Sequence, residues 1–138
     1  MNSRAHALSA AESISQDRVI EWHLKNGGHN GRLAGHALRL LHEAVELCVN
    51  AGASEEEIHR RVAMEADKAR SRSEFSETVE FAKVRDELAD ISFLVDVVAH
   101  HTGSTNIEAE RMAKLNILHQ RAWEADADGV LWRPGFCP

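Results

Sequence analysis

Residues 37–48, Ala37-Leu38-Arg39-Leu40-Leu41-His42-Glu43-Ala44-Val45-Glu46-Leu47-Cys48, decide the fold class. On a helical wheel, at about 100° per residue, Ala37, Leu40, Leu41, Ala44, Val45, Leu47 and Cys48 fill about half the circle. That is the pattern of an amphipathic helix, and it predicts one over about residues 34–51, stopped by Gly52. Glu43 and Glu46 sit three residues apart at the edge of the apolar arc, as neighbours on one face.

The same period continues on both sides. Ser9-Ala10-Ala11-Glu12 has capping-box spacing and opens a first helix to about Asn26, before Gly27-Gly28. Ser54-Glu55-Glu56-Glu57 opens a strongly charged third helix to about Arg72. After a short hinge, residues 73–76, a fourth helix is expected over about residues 77–101. Thr105-Asn106-Ile107-Glu108 caps a fifth, which is expected to reach about Trp123. Residues 124–138 have the turn chemistry of a loop tail. The only prolines are Pro134 and Pro138, so no proline interrupts these segments. The expectation is an all-α bundle of about five helices, one domain over residues 1–138.

The fourth segment carries a second acidic pair. Val84, Leu88, Ile91, Leu94, Val95 and Val98 form its apolar stripe; Glu87 lies within the stripe and Asp90 at its margin. Carboxylates at a packed face are costly unless something positive satisfies them. Pairs three residues apart also repel each other. Two such pairs on facing helices would gather four carboxylates around one point, an all-oxygen environment suited to Mg²⁺ or Mn²⁺. Spacing alone is a weak signal, because such pairs are common on solvated helices. Glu77 and Glu80 form one and are not read as a site.

Composition narrows the function classes. The formal charge of −6, with nine histidines neutral, argues against a general nucleic-acid or membrane binder. It does not exclude a phosphate ligand, since a bound cation reverses the local field. Cys48 and Cys137 make no disulfide framework or zinc spacing, and two free thiols fit a reducing cytosol. No signal peptide is visible, and the longest apolar run, residues 91–99, is broken by Ser92 and Asp96. A soluble, cytoplasmic protein is expected.

His42-Glu43-Ala44-Val45-Glu46-Leu47 and Asp86-Glu87-Leu88-Ala89-Asp90-Ile91 together resemble the paired E-x-x-E and E-x-x-D motifs of the MazG-like all-α nucleoside triphosphate pyrophosphohydrolases. Lys114 to Trp123 is similar to that family's last core helix, with Lys114, then Asn116, then Arg121. Trp22-His23, before a polar loop, echoes an aromatic-His feature of some members. The resemblance covers about residues 15–125. It implies Mg²⁺, with Mn²⁺ as an alternative, held by Glu43, Glu46, Glu87 and Asp90. It also implies hydrolysis of a nucleoside triphosphate, most readily a deoxynucleotide, to the monophosphate and pyrophosphate. Glu43 or Glu46 would take the proton of the attacking water. Lys114, Asn116, Arg121, Trp22 and His23 would contact the substrate.

Two departures leave the base and the sugar open. The segment between the acidic motifs is longer than in compact members and houses the charged third helix. Leu94 also stands where some relatives carry a tyrosine against the base.

Other residues carry weaker signals. Trp22 and Trp123 read as core aromatics as readily as base-stacking ones. His29, Asn30 and Arg32 lie in a glycine-rich loop that lacks the ending of a Walker loop but has the makings of a cover for a ligand. His100 and His101 point about 100° apart on a helix and cannot chelate one ion well; they suit a helix C-terminus. Asp126-Ala127-Asp128-Gly129 is half a calcium loop, and Arg133 is a minor phosphate candidate.

The competing readings are a non-catalytic helical module that binds a nucleotide or a protein, and a di-iron carboxylate bundle. The second is weakened because only Glu56 and His59 offer the required E-x-x-H spacing. Wide apolar arcs on several helices exceed what one short bundle hides, so a homodimer or a dimer of dimers is expected.

Overall fold

In the computed structural model the described residues are 15–138, so the Ser9–Glu12 capping box lies outside them. The chain is mostly helical. Helix α1 occupies residues 15–25 of the described part, followed by α2 (Leu33–Asn50), α3 (Glu55–Ser71), α4 (Phe81–His101) and α5 (Ile107–Leu118). Two short strands, β1 (Glu124–Ala125) and β2 (Leu131–Trp132), pair antiparallel with Glu124 opposite Trp132 and Ala125 opposite Leu131. Among the described residues no helix is long and apolar enough to cross a membrane.

Four of the helices stop in the same way. After α1, Gly28 N–H donates to the His23 carbonyl at 2.9 Å and Gly27 N–H to that of Leu24 at 3.1 Å. Ala53 and Gly52 repeat the pair on Cys48 and Val49 after α2, as Ser104 and Gly103 do on Ala99 and His100 after α4. These are Schellman closures, and they place one residue in the left-handed region. Glycine fills it at positions 27, 52 and 103, with φ between 79° and 91°. After α3 the residue is Ser73, at φ 53°, with Glu74 and Ser73 bonded back to Ala69 and Arg70. A Cβ in that region costs about 1 kcal/mol or slightly more. Glycine's greater freedom in the unfolded chain offsets part of that, so Ser73→Gly is expected to stabilise the chain by about 0.5 kcal/mol. A denaturant titration with an unchanged or lowered midpoint would contradict that account.

The capping box at the start of α3 forms as read. Glu57 N–H donates to Ser54 Oγ at 3.2 Å, and Ser54 N–H donates to the Glu57 carboxylate at 2.8 Å. That backbone bond, then the Ser54 hydroxyl, holds the Glu57 carboxyl below its usual range. Two boundaries differ from the sequence reading. Helix α4 starts at Phe81 rather than near residue 77, because Ser76 Oγ accepts from Thr78 N–H at 3.0 Å and ties the preceding segment into a side-chain turn. Helix α5 is capped by Asn106, whose side chain accepts from Ala109 N–H, and ends at Leu118 rather than near Trp123.

The chain divides into two compact units. One comprises the residues up to Arg39 together with Asn106–Pro138; the other is Leu40–Thr105. In the first unit Leu115, Val130, Leu131 and Trp132 are buried, three of them in a tail that was expected to be a plain loop. In the second unit the apolar stripe of α4 is open: Leu88 is 50% exposed, Ile91 40% and Leu94 57%.

Candidate functional site

All four acidic candidates fall in the second unit, Glu43 and Glu46 on α2 and Glu87 and Asp90 on α4. Each pair spans one helical turn, so each pair lies on one face of its helix. All four carboxylates are exposed. The sequence sets Glu87 and Asp90 against an apolar stripe expected to be packed; in the chain that stripe is uncovered, and the carboxylates share its exposure. Among the described residues no group of three or more His, Cys, Asp or Glu side chains is gathered to hold a metal ion. The donor set, oxygen only and acidic, has the chemistry a hard divalent cation requires. In the same unit α2 and α3 flank an apolar groove lined by Leu41, Val45, Cys48, Ile58 and Val62, with Glu57 and Arg61 among its walls.

The basic candidates belong to the first unit. Lys114 and Asn116 lie on α5 and are exposed. They are two residues apart and so point to different sides of the helix. Arg121 is exposed in the turn after α5, its N–H bonded to the Leu118 carbonyl at 3.2 Å. The expected two-turn helical platform from Lys114 to Arg121 is thus interrupted. The cause is Trp123, whose Nε1–H donates to the same Leu118 carbonyl at 3.0 Å and closes off the helix end.

Trp22 and His23, on α1, are half-buried. Trp22 meets Trp123 edge to face, with ring centroids 5.1 Å apart, and its Nε1–H is buried without a hydrogen-bond partner. The imidazole of His23 lies against Gly28, where a Cβ would overlap it, and stands 5.5 Å from the ring of His36. Burial, then the charge of His36, holds His23 below the ordinary histidine range.

A cluster around the tail was not anticipated. Asp126 accepts the Trp132 Nε1–H at 2.8 Å, the Val130 N–H at 3.0 Å and the Asp128 N–H at 2.9 Å. The Trp132 indole, and more weakly the backbone donors and His36, hold its carboxyl below the usual range. Arg32 reaches Asp128, with Nη2 at 3.2 Å from Oδ2. The Arg39 guanidinium stacks 4.7 Å over the Trp132 ring. Gly31 and Gly35 press on Asp128 so closely that a Cβ at either would overlap it. The Asp126–Asp128 segment is therefore an internal brace, its carboxylates committed to neighbouring donors. Arg133 lies over the Phe136 ring. Asp-x-Asp-Gly followed by Leu-Trp, together with glycines at 31 and 35, was the available signal.

Cys48 and Cys137 are free and exposed. The rings of His100 and His101 meet edge to face at the C-terminal end of α4. No family model, curated protein or solved structure matches the chain.

Proposed function

We propose that the chain is a metal-dependent pyrophosphohydrolase of the MazG-like all-α type. It would cleave a nucleoside triphosphate, most readily a deoxynucleotide, to the monophosphate and pyrophosphate in the cytoplasm. The observation that carries this reading is the pairing of two acidic faces with two uncovered apolar faces. Glu43 and Glu46 flank the arc of α2, and Glu87 and Asp90 flank the stripe of α4. Apolar surface of this extent is normally covered in the working protein. A second copy of the chain, in a homodimer or a dimer of dimers, would cover it and bring the carboxylates together.

Within that assembly the roles follow from charge and proton affinity. Glu43, Glu46, Glu87 and Asp90 would hold Mg²⁺ or Mn²⁺, which when bound neutralises phosphate charge and makes a nearby water more acidic. Lys114 and Arg121 offer an ammonium and a guanidinium to the triphosphate oxygens, with Asn116 as a neutral partner. Glu43 or Glu46 accepts the proton of the water that attacks the α-phosphorus, and the bond to the bridging oxygen breaks to release pyrophosphate. Trp22 and His23 would serve substrate contact only from their outer edges, since their inner faces are occupied.

A panel of ribo- and deoxynucleoside triphosphates with Mg²⁺ or Mn²⁺, resolved by chromatography, tests the reaction. Monophosphate and pyrophosphate are the expected products. Orthophosphate alone, or calorimetric binding of nucleotide with no product, would remove the proposal; the latter favours a non-catalytic module. Sedimentation velocity is expected to give a dimer or larger, and a monomer at micromolar concentration would remove the assembly.

A further inference from the structure

The first unit is closed by contacts between the glycine-rich loop, residues 26–32, and the C-terminal hairpin. His29 N–H donates to the Gly129 carbonyl at 3.3 Å, and Arg32 pairs with Asp128. A Cβ at Gly129 would overlap the His29 carbonyl, so the two backbones touch. On the other side of the loop, His36 Nε2 lies 3.2 Å from the same His29 carbonyl. The His23 and His36 rings face each other across 5.5 Å, with His23 seated on Gly28.

We propose that this contact is a proton-operated latch, closed while His23 and His36 are neutral and opened when both are charged. The geometry supplies the reason. Two imidazolium rings at this distance repel, and one of them is partly withdrawn from water. The surrounding groups absorb only part of that repulsion. The loop contributes His29 and Arg32, α2 contributes Arg39 beside His36, and the hairpin contributes Asp126 and Asp128. With the histidines neutral, the two arginines balance the two aspartates. Asp128 already faces Arg32, and both oxygens of Asp126 are taken by Trp132, Val130 and Asp128 donors. Asp126 still attracts a charged His36, and the His29 backbone favours a charged His23. Burial and the facing His36 ring outweigh these at His23, so its proton is disfavoured while the seam is closed.

The sign follows from linkage. His23 binds its proton less readily with the latch closed than with it open, so closure is most stable above the ordinary histidine value of 6.5. It weakens as pH falls from there through the lowered value. Each proton taken up on opening raises the opening constant by up to about tenfold per pH unit in that window. The latch does not depend on the reaction proposed above.

Amide hydrogen exchange on the intact chain reads the latch at one bond. Protection of the His29 amide, corrected for intrinsic exchange, is expected to fall as pH drops from 7.5 to 5. The Val130 amide, bonded to Asp126 inside the hairpin, is expected to stay protected across the same range. An imidazole ¹⁵N titration of His23 should have its midpoint within the window where His29 loses protection. In His23→Gln/His36→Gln, which keeps polar side chains without their charge, His29 protection should be flat with pH. Protection that does not change with pH in the wild type, a transition that persists unchanged in the double variant, or a His23 midpoint outside the window would overturn the latch. So would loss of Val130 protection together with His29. If the double variant does not fold, the wild-type titrations alone decide.

Discussion

Replacing Glu87 by glutamine is expected to reduce metal-dependent pyrophosphate release by about 100-fold or more, while the thermal melt stays where it is. Outer partners of metal ligands commonly cost about 10- to 100-fold when changed, so a direct ligand belongs at or beyond the upper end. The substitution keeps size and polarity and removes only the negative charge. Glu87 is exposed on α4, so little packing is at risk. A suitable control is Glu77→Gln, from an acidic pair of the same spacing that lies before α4 rather than on a helix. The two variants should differ by about the full effect. Equal activities would mean that the E-x-x-D motif is a solvated surface and that the site lies elsewhere. A loss cured by raising Mg²⁺ or Mn²⁺ would assign Glu87 to cation affinity rather than to proton transfer.

The largest expected effect on stability comes from the tail. Trp132 is only 7% exposed, donates its Nε1–H to Asp126 and carries Arg39 over its ring. Truncating a buried tryptophan to alanine costs about 3–5 kcal/mol. Trp132→Ala is therefore expected to lower the melting temperature of the first unit by on the order of 10 °C. Trp132→Phe, which restores the ring but not the donor, should recover part of the loss and leave Asp126 without its indole partner. Calorimetry separates the cases. A melt unmoved by Trp132→Ala would mean that the hairpin contributes nothing to that unit's core.

The helices were legible because their signals are local. Ser54 and Glu57 announce α3 within four residues, and Gly52 and Gly103 mark the ends of α2 and α4. Where the signal was another residue's side chain, it was missed. Ser76 holds off the start of α4, and the Trp123 indole stops α5; neither effect shows in a hydrophobic period. The hairpin was missed for a related reason. Its strands are two residues each, too short for an alternating pattern, and its loop is fixed by Asp126 and by Asp128 reaching Arg32 across the sequence. The acidic pairs were visible on α2 and α4, but spacing within a helix carries no information about the distance between helices.

Trp22, Trp123 and Trp132 are the only tryptophans in the sequence, tyrosine is absent, and all three belong to the unit that ends at Pro138. Leu40–Thr105 has neither. Intrinsic fluorescence is therefore silent on that segment and reports the other unit alone, whereas far-ultraviolet dichroism records the helices of both. Denaturation curves from the two signals will superimpose only if the chain melts as one cooperative body.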